Sequence, residues 1–169
     1  MSEKWTIENT PISVLITDRT QADVDRVKAL AAKGFAGMTA DEQAEWLTGI
    51  KGSYNATDLN RVGTALNYLK SRLVPLCGKN IQWSAKTDWA VTDIITASQA
   101  AEYRQRVQDI RNALVYPANS PDVPEIIRLT YTGANDIERI LQICEWLIDN
   151  ILLAFRYTGA AECATGGLL

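Results

Sequence analysis

Apolar positions in this chain step by three and four residues over four separate stretches, the spacing that places them on one face of a helix. From Leu59 the stripe is Leu59, Val62, Leu66, Leu69 and Leu73, and from Ala100 it is Ala100, Tyr103, Val107, Ile110 and Leu114. A stronger one begins at Ile137 and continues through Ile140, Cys144, Leu147, Ile151 and Ala154, whereas the first, Val24, Val27 and Ala31, is short. The pattern predicts four amphipathic helices. Thr96 and Gln99 have capping-box spacing before the third, Asn55 and Thr57 precede the second, and Thr39 with Glu42 marks a short extra helix near residues 40–48. Pro75 and Gly78 are expected to stop the second helix. Pro117, Pro121 and Pro124 make a loop with room for one short helical turn, "PEIIRL", before Thr132 and Gly133 open the fourth.

Each predicted helix carries the same succession of a polar residue, an arginine and a branched apolar residue, at Arg26, Arg61, Arg106 and Arg139. The first and last gaps between these arginines, 35 and 33 residues, match, and the middle one, 45, does not. The lead-in "WTIENTPISVLITDRTQADVDRV" from Trp5 is similar to "WSAKTDWAVTDIITASQAAEYRQRV" from Trp83. The expectation is an internal duplication. Unit one spans about 5–76 and unit two about 83–157, each an irregular Trp-containing arm followed by a helical hairpin. Neither hairpin buries its stripe alone, so the expected fold class is mainly α, a single four-helix bundle-like domain over 1–157 with a Gly-rich tail at 158–169. The fourth helix has a second stripe, Leu141, Ile148, Leu152 and Phe155, which places it at the bundle centre or against another chain.

Composition narrows the chemistry. The net charge of −3 comes with no basic block, so nothing prepares a face for phosphates, and no nucleic-acid partner is expected. Three cysteines at wide spacing, Cys77, Cys144 and Cys163, suggest neither a disulfide framework nor a metal site. No export leader and no membrane-spanning stretch are expected. Histidine is absent, which removes the most frequent general base and metal ligand. The acids Asp18, Asp23 and Asp25 lack the Gly and Glu of a calcium loop, and no phosphate-binding Gly-rich loop occurs. The expectation is therefore a non-enzyme with no catalytic, cofactor-binding or metal-binding residue.

Several residues still admit a functional reading beside a structural one. Asp88 and Asp93, with Glu102 beyond, form a carboxylate pair, or cap turns before the third helix. Trp83 and Trp89, like Trp5, form a recognition platform, or anchor an irregular arm to the core. The repeated arginines grip an anion, or pair with Asp23, Asp58, Glu102 and Asp136 three or four residues earlier, which is the preferred reading. Leu152, Phe155 and Tyr157 at the end of the fourth helix, with Leu168 and Leu169 in the tail, offer apolar contacts to a neighbouring subunit.

The segments "YNATDLNRV" at 54–62, "TDW" at 87–89 and "YTGAAE" from Tyr157 resemble elements of small bacteriophage and prophage structural proteins of Gram-positive bacteria. In that group Tyr-Asn-x-x-Asp-x-Asn-Arg helices repeat after Trp-containing arms; "AEYRQRV" and "NDIERI" depart from the fuller pattern. The resemblance implies a tail-associated virion component, assembled in the host bacterial cytoplasm, that acts by self-assembly and contacts with other virion proteins. A phage-encoded binding protein that sequesters a host protein or small signalling molecule is the other expectation.

Overall fold

A computed structural model describes residues 9–78 and 80–157. Trp5, Cys163, Leu168, Leu169 and the tail 158–169 lie outside the described residues. The described chain is mainly helical: α1 (Gln21–Lys33), a short 3-10 turn (Phe35–Gly37), α2 (Ala40–Thr48), α3 (Ala56–Cys77), α4 (Ala97–Ala113) and α5 (Tyr131–Tyr157). Reciprocal capping boxes open α1 at Thr20 and Asp23, α2 at Thr39 and Glu42, α3 at Asn55 and Asp58, and α4 at Thr96 and Gln99. Thr57, which the sequence placed before α3, is its second residue. α3 runs through Pro75 and ends at Cys77, where Gly78 takes a left-handed conformation (φ 60°), so the proline does not stop it. "PEIIRL" contributes a single turn, with the Leu129 N–H donating to the Ile126 carbonyl.

The core is built by three helices rather than four. α3, α4 and α5 pack against one another in all three pairings. Val62, Leu66, Leu69 and Leu73 of α3, Val107 and Ile110 of α4, and Ile137, Ile140, Leu141, Cys144 and Ile148 of α5 are each fully removed from solvent. At about 1.5–3 kcal/mol for each large aliphatic side chain, this seam dominates the stability. α1 stands apart because its apolar face is too short to join the seam. Leu30 is its one buried residue and shares a separate small cluster with Met38, Ile50 and the half-buried Val27, while Ala31 is exposed.

All three core helices run in the same direction, so α4 and α5 are not the helical hairpin that the sequence predicts for the second unit: the strap through Pro121 and Pro124 first returns along α4. Arg61 bonds to Glu138, Tyr68 to Glu145 and Arg72 to Asp149, each pair 77 residues apart, an unchanging offset that only parallel helices allow. Trp83 ties the far ends of α3 and α4 together: its carbonyl accepts from Lys70 and its indole N–H donates to Asp109. Near the start of α3, the Tyr54 and Tyr103 hydroxyls meet.

Parallel neighbours need long return segments, and these lie as extended straps along the helices. Having no sheet partner, their backbone amides are satisfied by side chains. On α3, Asn60 and Asn67 sit two turns apart and each pairs both ways with a strap residue: Asn60 Nδ2 donates to the Trp89 carbonyl (2.9 Å) and accepts from the Trp89 N–H (2.7 Å). Asn67 does the same for Ala85 (3.0 and 2.8 Å). Asn135 of α5 clamps Arg19 in the first strap with bonds of 3.0 and 2.9 Å. On α4, Arg104 and Arg111 donate to the carbonyls of Pro124 and Pro121. Gly63 lets the second strap come close, since a Cβ there would stand 2.3 Å from the Lys86 carbonyl oxygen.

Candidate functional site

Of the four repeated arginines, two keep the acid predicted for them and two do not. Arg61 pairs with Asp58, and Arg106 with Glu102 at 3.2 Å. Asp23 is instead spent on the Thr20 cap, and Arg26 reaches Glu45 (3.0 Å) and Glu42 (3.5 Å) on α2. Arg139 is exposed and makes no ion pair with Asp136 among the described residues, while burial raises the Asp136 carboxyl above its ordinary value. The guanidinium groups do not gather around one anion site; each described ion pair joins them to carboxylates.

The most buried charges centre on Arg19, which the helical pattern did not single out. Its residue is 3% exposed, and its Nη2 donates to Asp58 (2.8 Å) and Glu138 (2.6 Å), both also buried. Arg61 joins the same two carboxylates, and Glu138 also accepts the Ile16 N–H at 2.6 Å. Two cations and two anions thus fasten the first strap to α3 and α5 with no net charge. Removing one member would strand buried charge, at a cost of about 3–5 kcal/mol. Burial pushes the adjoining Tyr54 and Tyr103 hydroxyls well above their ordinary value, so both stay protonated. A second cluster joins Arg72, Glu145, Tyr68 and Asp149. Burial raises the Glu145 carboxyl, and its Oε2 has no hydrogen-bond partner among the described residues.

The carboxylate pair comes together only at the surface. Asp88 and Asp93 both reach Lys86, at 3.8 and 3.2 Å, and the Asp93 carboxylate accepts the Ala90 N–H, which with Lys86 lowers its pKa. Glu102 pairs with Arg106. Trp83 lies against the core with its N–H on Asp109, and Trp89 is buried, with Lys86 4.4 Å above its ring. Cys144 is enclosed, and burial pushes its thiol up to about 12, far from a reactive thiolate. Among the described residues no three His, Cys, Asp or Glu side chains are placed to hold a metal ion, and no helix is long and apolar enough to cross a membrane.

Among the described residues, two apolar surfaces stand out. A cleft of about 310 Å³ opens where α3 begins, between the end of α2 and the stretch before α4; Trp46, Leu47, Ile50, Tyr54, Leu59 and Trp89 line much of it. At the other end the α5 stripe outlasts its neighbour. α4 stops at Ala113 and the chain turns back, the Tyr116 hydroxyl donating to the Ile140 carbonyl. Beyond Ile148, Leu152 is 45%, Phe155 48% and Tyr157 80% exposed, and Trp146 on the outer face is 56% exposed. The sequence pointed to Leu152 and Phe155 through the second stripe and to Trp89 as a platform candidate; the rest of the cleft carried no such signal, because it forms between two stretches far apart in the chain, 46–59 and 89–95. No protein-family model, curated protein or solved structure gives a match to this chain.

Proposed function

We propose that the chain is a structural subunit of a bacteriophage virion, associated with the tail, which works by self-assembly and protein–protein contacts and catalyses no reaction. The observation that carries the reading is the α5 stripe, which continues as Leu152 and Tyr157 past the end of α4 and leaves large apolar groups in solvent. Such a patch at the end of a rigid helix is a common mark of an interface. The phage-like "YNATDLNRV" supplies the virion context, with assembly in the host cytoplasm alongside other virion proteins and no nucleic-acid or membrane partner. The most buried charges support it as well: Arg19 and Arg61 pair with Asp58 and Glu138, and Cys144 is enclosed with its thiol protonated. We also read the chain as two copies of one two-helix unit, with its helices parallel in the second copy rather than paired as a hairpin. Supporting this, α3 and α5 carry matching Arg segments and lie parallel, although α1 and α4 pack differently.

Light scattering over a wide concentration range tests the reading. A defined oligomer is expected, and a monomer at high concentration, unaltered by deleting residues 158–169, would defeat it. The cleft favours the second reading, a phage-encoded protein that sequesters a host protein or small signalling molecule. Thermal stabilisation of a strictly monomeric chain by a small ligand would select that alternative.

A further inference from the structure

Because α3, α4 and α5 are parallel, the molecule has two unlike ends. The end where they begin holds the apolar cleft, with Leu47 65% and Val91 84% exposed at its mouth. Beside it, two acids, Asp88 and Asp93, share the single cation Lys86, so this rim carries an excess negative charge. At the finishing end, Leu152 and Tyr157 are exposed, and between them in sequence Arg156 is exposed and forms no ion pair among the described residues.

We propose that the cleft of one copy receives the α5 end of a second copy, so that the chain associates head to tail. This rests on the self-association reading above and specifies its geometry. Charge complementarity selects the occupant: Arg156 of the incoming end meets the acidic rim, whereas end-to-end pairing of two α5 helices would bring two arginines together and cleft-to-cleft pairing two sets of acids. The volume agrees, since about 310 Å³ is at the small end for ligand pockets and accommodates one or two apolar side chains. A contact of this type uses different patches on the two partners, so it closes into a ring or extends as a filament, either of which suits a particle component.

Two blocked variants test the arrangement. Leu47→Asp with Val91→Asp closes the cleft, and Leu152→Asp with Tyr157→Asp closes the α5 end. Each alone is expected to lose at least tenfold in association, and an equimolar mixture to give a 1:1 dimer that grows no further. If wild type self-associates but the mixture stays monomeric, or if either variant alone still assembles, the head-to-tail contact is overturned while self-association stands. A monomeric wild type overturns both. Should a blocked variant fail to fold by circular dichroism, exposed charges decide: Arg156→Asp should weaken association, and mixing it with Asp88→Arg should restore it. Failure to restore would sink the proposal.

Discussion

Two regions of this molecule use nearly the same side chains and obtain different results from them. In the α1–α2 lobe, Arg26 and Lys33 face Glu42 and Glu45, with both cations 46% exposed. In the core, Arg19 and Arg61 face Asp58 and Glu138, with side-chain exposures of 1%, 15%, 4% and 0%. Glu42 is itself buried, but water reaches both cations and Glu45 and screens their pairing, so the first set adds less to stability. The second is enclosed by helices and a strap, where each charge depends on its partners. Arg26 and Arg61 occupy equivalent places in the repeated motif. At both places the arginine finds carboxylates, as Arg139 of the same motif does not among the described residues, and burial decides what the pairing is worth.

Breaking the core set should have the largest effect. Arg19→Ala is expected to cost about 3–5 kcal/mol by leaving Asp58 and Glu138 short of a cation, read from urea unfolding. Recovery in Arg19→Met with Glu138→Gln, which leaves Arg61 paired with Asp58, would show that stranded charge, rather than lost packing, is the cause. Gly63→Ala tests the close approach of the second strap. Overpacking against the Lys86 carbonyl should cost about 1–3 kcal/mol, and an unchanged midpoint would mean that the strap shifts freely. Asn60→Ala and Asn67→Ala each remove a two-way clamp, for a loss of about 1–2 kcal/mol. Faster hydrogen exchange should then appear at Ala85 or Trp89 and not in α1.

The second cluster sharpens the contrast through pH. Burial raises the Glu145 carboxyl above its ordinary value of 4.5. The folded state therefore holds this proton more tightly than the unfolded chain, and the associated stability, present below 4.5, is lost as pH rises through the folded value. The stability difference between wild type and Glu145→Gln should change across that window and level off above it; a flat difference would contradict the shift. Asp18, Asp23 and Asp93, lowered by hydrogen bonds and lysines, have the opposite slope and lose stability as pH falls below 3.8. The smallest effect belongs to the lobe: Arg26→Ala should change stability by less than about 1 kcal/mol. A loss as large as that of Arg19→Ala would erase the distinction between the regions.

The sequence by itself determined the helices and their starts, because caps and three-four spacing act within a few residues. Thr39, Asn55 and Thr96 are legible for that reason, as is the α5 stripe, whereas the cap at Thr20 went unread. Only the tertiary structure decided that three helices share the seam, that Asn60, Asn67 and Asn135 clamp straps, and that Arg19 is buried while Arg26 is not. The physical reason is distance along the chain. Arg19 meets Glu138 across 119 residues and Asn60 meets Trp89 across 29, and pairings of that separation impose no periodicity on the residues that make them.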